Sequence, residues 1–204
     1  MFAMQSKNPL TSRIALVCLL LAGCGAAPDF VHAPPASYLA PLAPAVHGVW
    51  ARVGKDNGER VRVSGLADGT VRIDFFKTRP SAQPVPEQPL MAQALHFDNT
   101  DWLLIDMRKL SALDGGKYTG SAPYRLIRYV LDDAGRLCGS EPGAHLFGEA
   151  IEAGKLEGKV TADVMPRMRV TVTSAGADWV TWWSLLPASV KTFSQPALCF
   201  EKMD

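Results

Sequence analysis

The sequence predicts an α+β fold in which antiparallel hairpins form one sheet and two short helices cover part of it. Three observations carry this reading. From Gly48 onward, short runs with two-residue alternation recur, several of them closed by turns rich in Asp and Gly. Near Ala150 and Trp182 the period changes to that of a helix. Two Pro-rich stretches, holding Pro28, Pro34, Pro35, Pro41 and Pro44 and then Pro80, Pro84, Pro86 and Pro89, suit neither a helix nor a central strand.

The first element in the chain is a targeting signal. Lys7 and Arg13 precede an apolar run over residues 14–22 and no acidic residue accompanies them. That run is well short of the ~20 residues a spanning helix needs. Residues 25–47 lack usable periodicity and read as a Pro-rich tether with a polyproline-like reach of up to ~70 Å. Strands begin at Gly48. Val61 and Val63 share one face while Arg60, Arg62 and Ser64 share the other, and Val71, Ile73 and Phe75 repeat the pattern after the turn Ala67-Asp68-Gly69.

The stretch from Pro80 to Pro89 reads as a long loop. Residues 91–98 and 102–107 form a second hairpin around Asn99-Thr100-Asp101, and 102–107 is apolar on both parities, which predicts cover on both faces. Residues 109–123 read as loop. Residues 124–131 form a strand turning at Asp132-Asp133-Ala134-Gly135 into a return strand at 136–138. Residues 143–153 have helical spacing, with Gly154 as the stop, and 169–173 alternate as a strand. Ser174 then stands as an N-cap candidate before Trp179, Trp182, Trp183 and Leu186, one helical stripe closed by Pro187, although a strand over 179–186 also fits these residue types. Residues 197–202 end the domain as a strand carrying Cys199.

Leu21-Ala22-Gly23-Cys24, at the end of the apolar run, resembles the lipobox of bacterial lipoproteins. The resemblance implies cleavage before Cys24, acylation of its thiol and amine, and anchoring by several acyl chains. Gly25 at the next position is similar to outer-membrane sorting, so the expected location is the cell envelope, on the outer membrane facing the periplasm. The expected organisation is a signal peptide over 1–23, a lipidated tether over 24–47 and one globular domain over 48–204.

Composition narrows the function. Of 21 basic residues Lys7 and Arg13 leave with the signal, so the mature chain sets 19 against 20 acidic residues. Basic and acidic residues are interleaved, which argues against a nucleic-acid partner. Cys18 also leaves and Cys24 is used for lipid, so Cys138 and Cys199 remain. In an exported chain they read as a disulfide; a reactive Cys138 with His145 as base is the rival.

No nucleophile elbow, phosphate loop, His-Glu-x-x-His helix or Cys-x-x-Cys pair occurs, and no cofactor or metal is expected. His32, His47, His96 and His145 lack metal-like spacing; Asp98, Asp101 and Asp106 cluster near a turn where calcium binding or acid and base work is the functional reading, and turn chemistry explains the first two without it. Arg128 interrupts an apolar row, either as a ligand anchor in a cavity or as a paired or rim arginine, with Asp106 a possible partner. Trp179, Trp182 and Trp183 read either as a ligand wall or membrane contact, or as a helix packed on the sheet.

Gly48-Val49-Trp50, opening the first strand, resembles the Gly-x-Trp start of lipocalins in three residues. The later Thr-Asp-Tyr of that family is missing, and two helices with Pro-rich loops depart from an eight-stranded barrel. The run of strands and helices looks more like small uncharacterised bacterial lipoproteins. The expected function is therefore non-enzymatic: an envelope lipoprotein, anchored in the membrane by its lipid, with a binding or interaction role and an envelope protein as partner. A lipocalin-like carrier of a small apolar ligand is the alternative, and a hydrolase the third.

Overall fold

Seven strands run as an antiparallel meander, each hydrogen-bonded to the next: β2 Gly48–Arg52, β3 Glu59–Gly65, β4 Thr70–Lys77, β5 Leu90–Phe97, β6 Thr100–Asp106, β7 Tyr124–Leu131 and β8 Leu137–Ser140. The last strand, β11 Leu198–Met203, pairs with both β8 and β2 and closes an eight-stranded barrel. The computed structural model describes residues 27–54, 59–77, 89–113, 116–162, 168–193 and 198–203. Among these, three strands extend the sheet from the upper end of β7. β1 Asp29–Phe30 meets β7 at Tyr124 and runs parallel to β10 Met168–Val172, which pairs in turn with β9 Gly158–Ala162. Three short helices complete the described fold: α1 Met107–Leu113, α2 Ala144–Glu152 and α3 Gly176–Leu185.

Local chemistry explains the hairpins. Gly69 has φ +79, and Asp68 Oδ1 accepts the Thr70 N–H. Asp98 and Asn99 both take positive φ, the two-residue turn that matches strand twist, so the second hairpin turns one residue earlier than expected. Asp132 Oδ1 accepts the N–H groups of Ala134 and Arg136 ahead of β8, with Gly135 at φ +73.

Strand alternation produces two cores. Inside the barrel lie Val61, Val63, Ile73, Leu90, Ile105, Ile127, Tyr129 and Phe200. The lower end, at the turns after β3, β5 and β7, is plugged by Leu42, Val46 and Trp50, whose indole N–H donates to the Val46 carbonyl at 2.9 Å. Leu110 of α1 enters the same core from the upper end. The second core lies outside the barrel wall, where Leu95, Phe97, Trp102, Leu104 and Leu126 meet Phe147 of α2, Val170 and Val172 of β10, and Trp179 and Trp183 of α3. Residues 102–107 are apolar on both parities for this reason: Leu103 and Ile105 face in, Trp102 and Leu104 face out.

Four expectations are corrected. The antiparallel hairpins do form one sheet, but it closes into an eight-stranded barrel, from which the helices and Pro-rich loops were expected to depart, because β6 pairs with β7 across α1 and β11 pairs with β2 from the far end of the chain. The helices at 144–152 and 176–185 cover the barrel's outer wall, and a third, α1, stands where loop was expected; Asp106 Oδ1 caps its start by accepting the Arg108 N–H. Ser174 does not cap α3, whose N-cap is Ala175; its hydroxyl accepts the Glu157 N–H at 2.7 Å.

The fourth concerns the tether. From Ala27 it is part of the fold: Phe30 is fully buried, Ala40 donates to the Ala94 carbonyl, and Leu42 and Val46 are core residues. Gly176 shows how tightly it packs, since a Cβ there would lie 1.9 Å from the Ala33 carbonyl oxygen. The prolines of this segment set extended and 3-10 turns against the barrel, and its few apolar side chains are spaced by those contacts, not by a regular period. The loop expected from Pro80 to Pro89 falls, apart from Pro89 itself, outside the described residues.

Candidate functional site

The barrel interior holds a cavity of about 70 Å³, walled by Val61, Ile73, Leu90, Leu103, Ile105 and Ile127 on one side and by Leu137, Gly139, Leu198 and Phe200 on the other. No charged side chain lines it. Tyr129 supplies its one polar side chain, and burial, reinforced by the Asp101 carboxylate, holds that phenol well above its ordinary titration range. A Cβ at Gly139 would come within 3.2 Å of Ile127 Cγ2, so any larger residue there would have to push the Ile127 side chain aside by a few tenths of an ångström. An open depression of about 470 Å³ lies outside the lower end, lined by Pro41, Leu42, Pro44, His47, Gly65, Leu66 and Ala67. Apart from the imidazole of His47, the side chains that line it are apolar.

The polar groups nearest the interior stand at the upper end. Arg125 lies opposite Ile105 and so continues the inward row of Ile127 and Tyr129. Its guanidinium holds Asp29 of β1 at 2.7 Å and approaches Glu141 Oε1 at 3.9 Å. Glu141 comes directly after β8 with the parity of Gly139 and is only 3% exposed. Burial pushes its carboxyl up to about 7; Arg125 opposes the rise and Asp29 adds to it.

The folded protein keeps this proton between the ordinary value of 4.5 and about 7, so stability linked to Glu141 is full below that window and is lost as pH rises through it, by roughly 3 kcal/mol. Glu141→Gln should flatten thermal stability between pH 4.5 and 7 and melt several degrees above the wild type at pH 8. Parallel melting curves of the two proteins across pH 4 to 8 would measure this.

The structure separates most of the residues that the sequence singles out. Arg128 is on the outer wall, between Trp102 and Ser140, and its guanidinium stacks over Phe193 at 4.4 Å; it neither enters the cavity nor meets Asp106. Trp179 and Trp183 are 1% exposed in the second core, Trp182 is half-buried beside Phe147, and none of the three lines the cavity. Cys138 and Cys199 face each other on β8 and β11 in a disulfide, with Cα atoms 4.1 Å apart.

Asp98 pairs with Lys191, Asp101 with His96 at 2.7 Å, and Asp106 with Arg108 at 2.7 Å; Asp106 sits at the opposite end of β6 from the other two. The His96–Asp101 pair is a half-exposed cross-strand contact that neither hollow reaches, and His145 Nε2 lies 3.3 Å from the Thr192 hydroxyl. Among the described residues, no three His, Cys, Asp or Glu side chains gather as a metal site, and no helix is long and apolar enough to cross a membrane. Arg125 and Glu141 do not stand out in the sequence, where parity with Ile127 and with Leu137 is the one signal that points to them. Cys24 lies outside the described residues. No protein-family model, curated protein or solved structure matches the chain.

Proposed function

We propose that the protein is a lipid-anchored component of the bacterial cell envelope whose barrel acts without catalysis, by binding the apolar end of a small ligand. The observation that supports the binding reading is the apolar cavity inside a closed barrel. Its size limits the ligand. Pockets for drug-sized molecules run to ~300–1,000 Å³, and an engineered apolar cavity of ~150 Å³ takes up benzene. About 70 Å³ suits a group of a few heavy atoms or the tip of an alkyl chain, a narrower role than that of a carrier enclosing its whole ligand.

Titration with a short linear alcohol such as butanol, tracked by methyl NMR, should shift the signals of Val61, Ile73, Ile105 and Ile127 while leaving the second-core methyls of Val170 and Val172 in place. Val61→Phe, which fills the cavity, should remove those shifts. A uniform weak response of both cores would dismiss the binding reading. The anchoring reading is supported by the apolar run ending at Cys24. Cys24→Ser should abolish fatty-acid incorporation and release the protein from membranes, and continued labelling of that variant would end it.

A further inference from the structure

The folding-in of residues 27–47 sets where the domain can stand if Cys24 carries lipid, and the docking surface inferred from it rests on that anchoring reading. Only Gly25 and Ala26 lie between Cys24 and Ala27, the first described residue. Three residue steps span at most about 10 to 11 Å. The headgroup layer is about 6 Å deep on each side of the hydrocarbon core, so the surface around Ala27 cannot leave the membrane interface.

That surface is cationic. Continuing the parallel register of Asp29 with Thr171 and Phe30 with Val172 puts the exposed Arg169 abreast of Ala27. Lys159 pairs across β10 with Thr171, one strand further out, and is also exposed. From the other side, Arg125 and Arg108 act on the phenol of Tyr118 together with Arg169, and Lys109 and Lys117 are exposed on the flanking helix and loop. Against these six cations stand four carboxylates: Asp29 and Glu141 around Arg125, Asp106 beside Arg108, and the exposed Glu157 two residues from Lys159.

We propose that the protein docks onto anionic lipid through this upper end, with Lys117, Lys159 and Arg169 against the headgroups and the lower turns pointing away. The antiparallel register of Phe30 with Tyr124 sets Ala27 level with Ile127, so the lipid tethers the upper half of the wall and the cations tip its upper end onto the headgroups. Each Lys or Arg near an anionic surface shifts binding by about fivefold.

The test uses the lipidated full-length protein in vesicles of phosphatidylglycerol and phosphatidylcholine carrying shallow nitroxide-labelled lipids. A fluorophore on Ser121→Cys, at the upper end, should be quenched several-fold more than one on Asp133→Cys, at the far end of β7, an eight-residue strand of roughly 25 Å. Inserting twenty Gly/Ser residues between Ala26 and Ala27 leaves the anchor but frees the domain. In that protein the residual quenching at Ser121→Cys should fall with salt, and Lys117→Glu, Lys159→Glu and Arg169→Glu together should lower the docked-to-undocked ratio at least ~10-fold. Equal quenching at the two labels, or spacer-protein quenching unmoved by the triple reversal, would overturn the docking surface while fatty-acid labelling at Cys24 left the anchor standing. Absence of that labelling would remove the anchor and this surface together.

Discussion

Replacing Cys138 and Cys199 together by alanine should cost about 4 kcal/mol, the loop-closure estimate for a 61-residue separation. For a chain of this size that lowers the melting temperature by roughly 8 to 16 °C. The cost arises from where the bridge sits. β8 ends at Ser140, the chain then leaves the barrel to build α2, β9, β10 and α3, and β11 must return between β8 and β2 to close the ring. Directly opposed cysteines on β8 and β11 hold that return in register, because Leu198 pairs with Gly139 and Phe200 with Leu137 on either side. A slip of one residue would turn Phe200 from the barrel core to the outside. Alanine is the right replacement because Cys138 is buried and a hydroxyl there would add its own penalty. Denaturation of the double variant and of the reduced wild type should show matching losses. An unchanged midpoint in both would mean that pairing of β11 with β2 alone closes the barrel.

The parts of the fold that are legible in the sequence are those decided by neighbours. Val61 and Val63 against Arg60 and Arg62, and Gly69 and Gly135 at positive φ, announce their strands and turns within a few residues. The helix stripe through Trp179 and Trp183 is local in the same way. Closure is not local. Trp102 with Arg128 and Trp50 with Lys202 are pairings across α1 and across the whole domain, and no periodicity encodes them.

The two cores are half visible, in that residues 102–107 require cover on both faces, yet nothing in the run says that one cover is a barrel interior. The same limit explains the candidate site. Arg128 draws attention as a charge in an apolar row, but that row faces the second core, where a guanidinium over Phe193 completes a mostly aromatic wall. Arg125, one turn of the alternation away from Ile127, looks like an ordinary strand end until β1 brings Asp29 beside it.

Phe30→Ala should destabilise the protein by about 3 to 5 kcal/mol, the range for truncating a fully buried phenylalanine. Its ring lies edge-on to Phe147 at 5.4 Å and tilted against Trp179 at 4.6 Å, so the cavity left behind would open between α2 and α3, where neither helix can close it alone. The backbone of β1 matters as well. Phe30 joins β7 to β10, and Asp29 beside it holds Arg125, so loosening this residue also loosens the link between the barrel and the outer layer. His32→Ala, two residues on and exposed, is the control and should fall within about 0.5 kcal/mol of the wild type. Urea denaturation with an unchanged slope would attribute the loss to native packing, and not to a changed denatured state. A tether residue would cost nothing on truncation. A measured loss below about 1 kcal/mol for Phe30→Ala would therefore place residues 27–47 outside the cooperative unit.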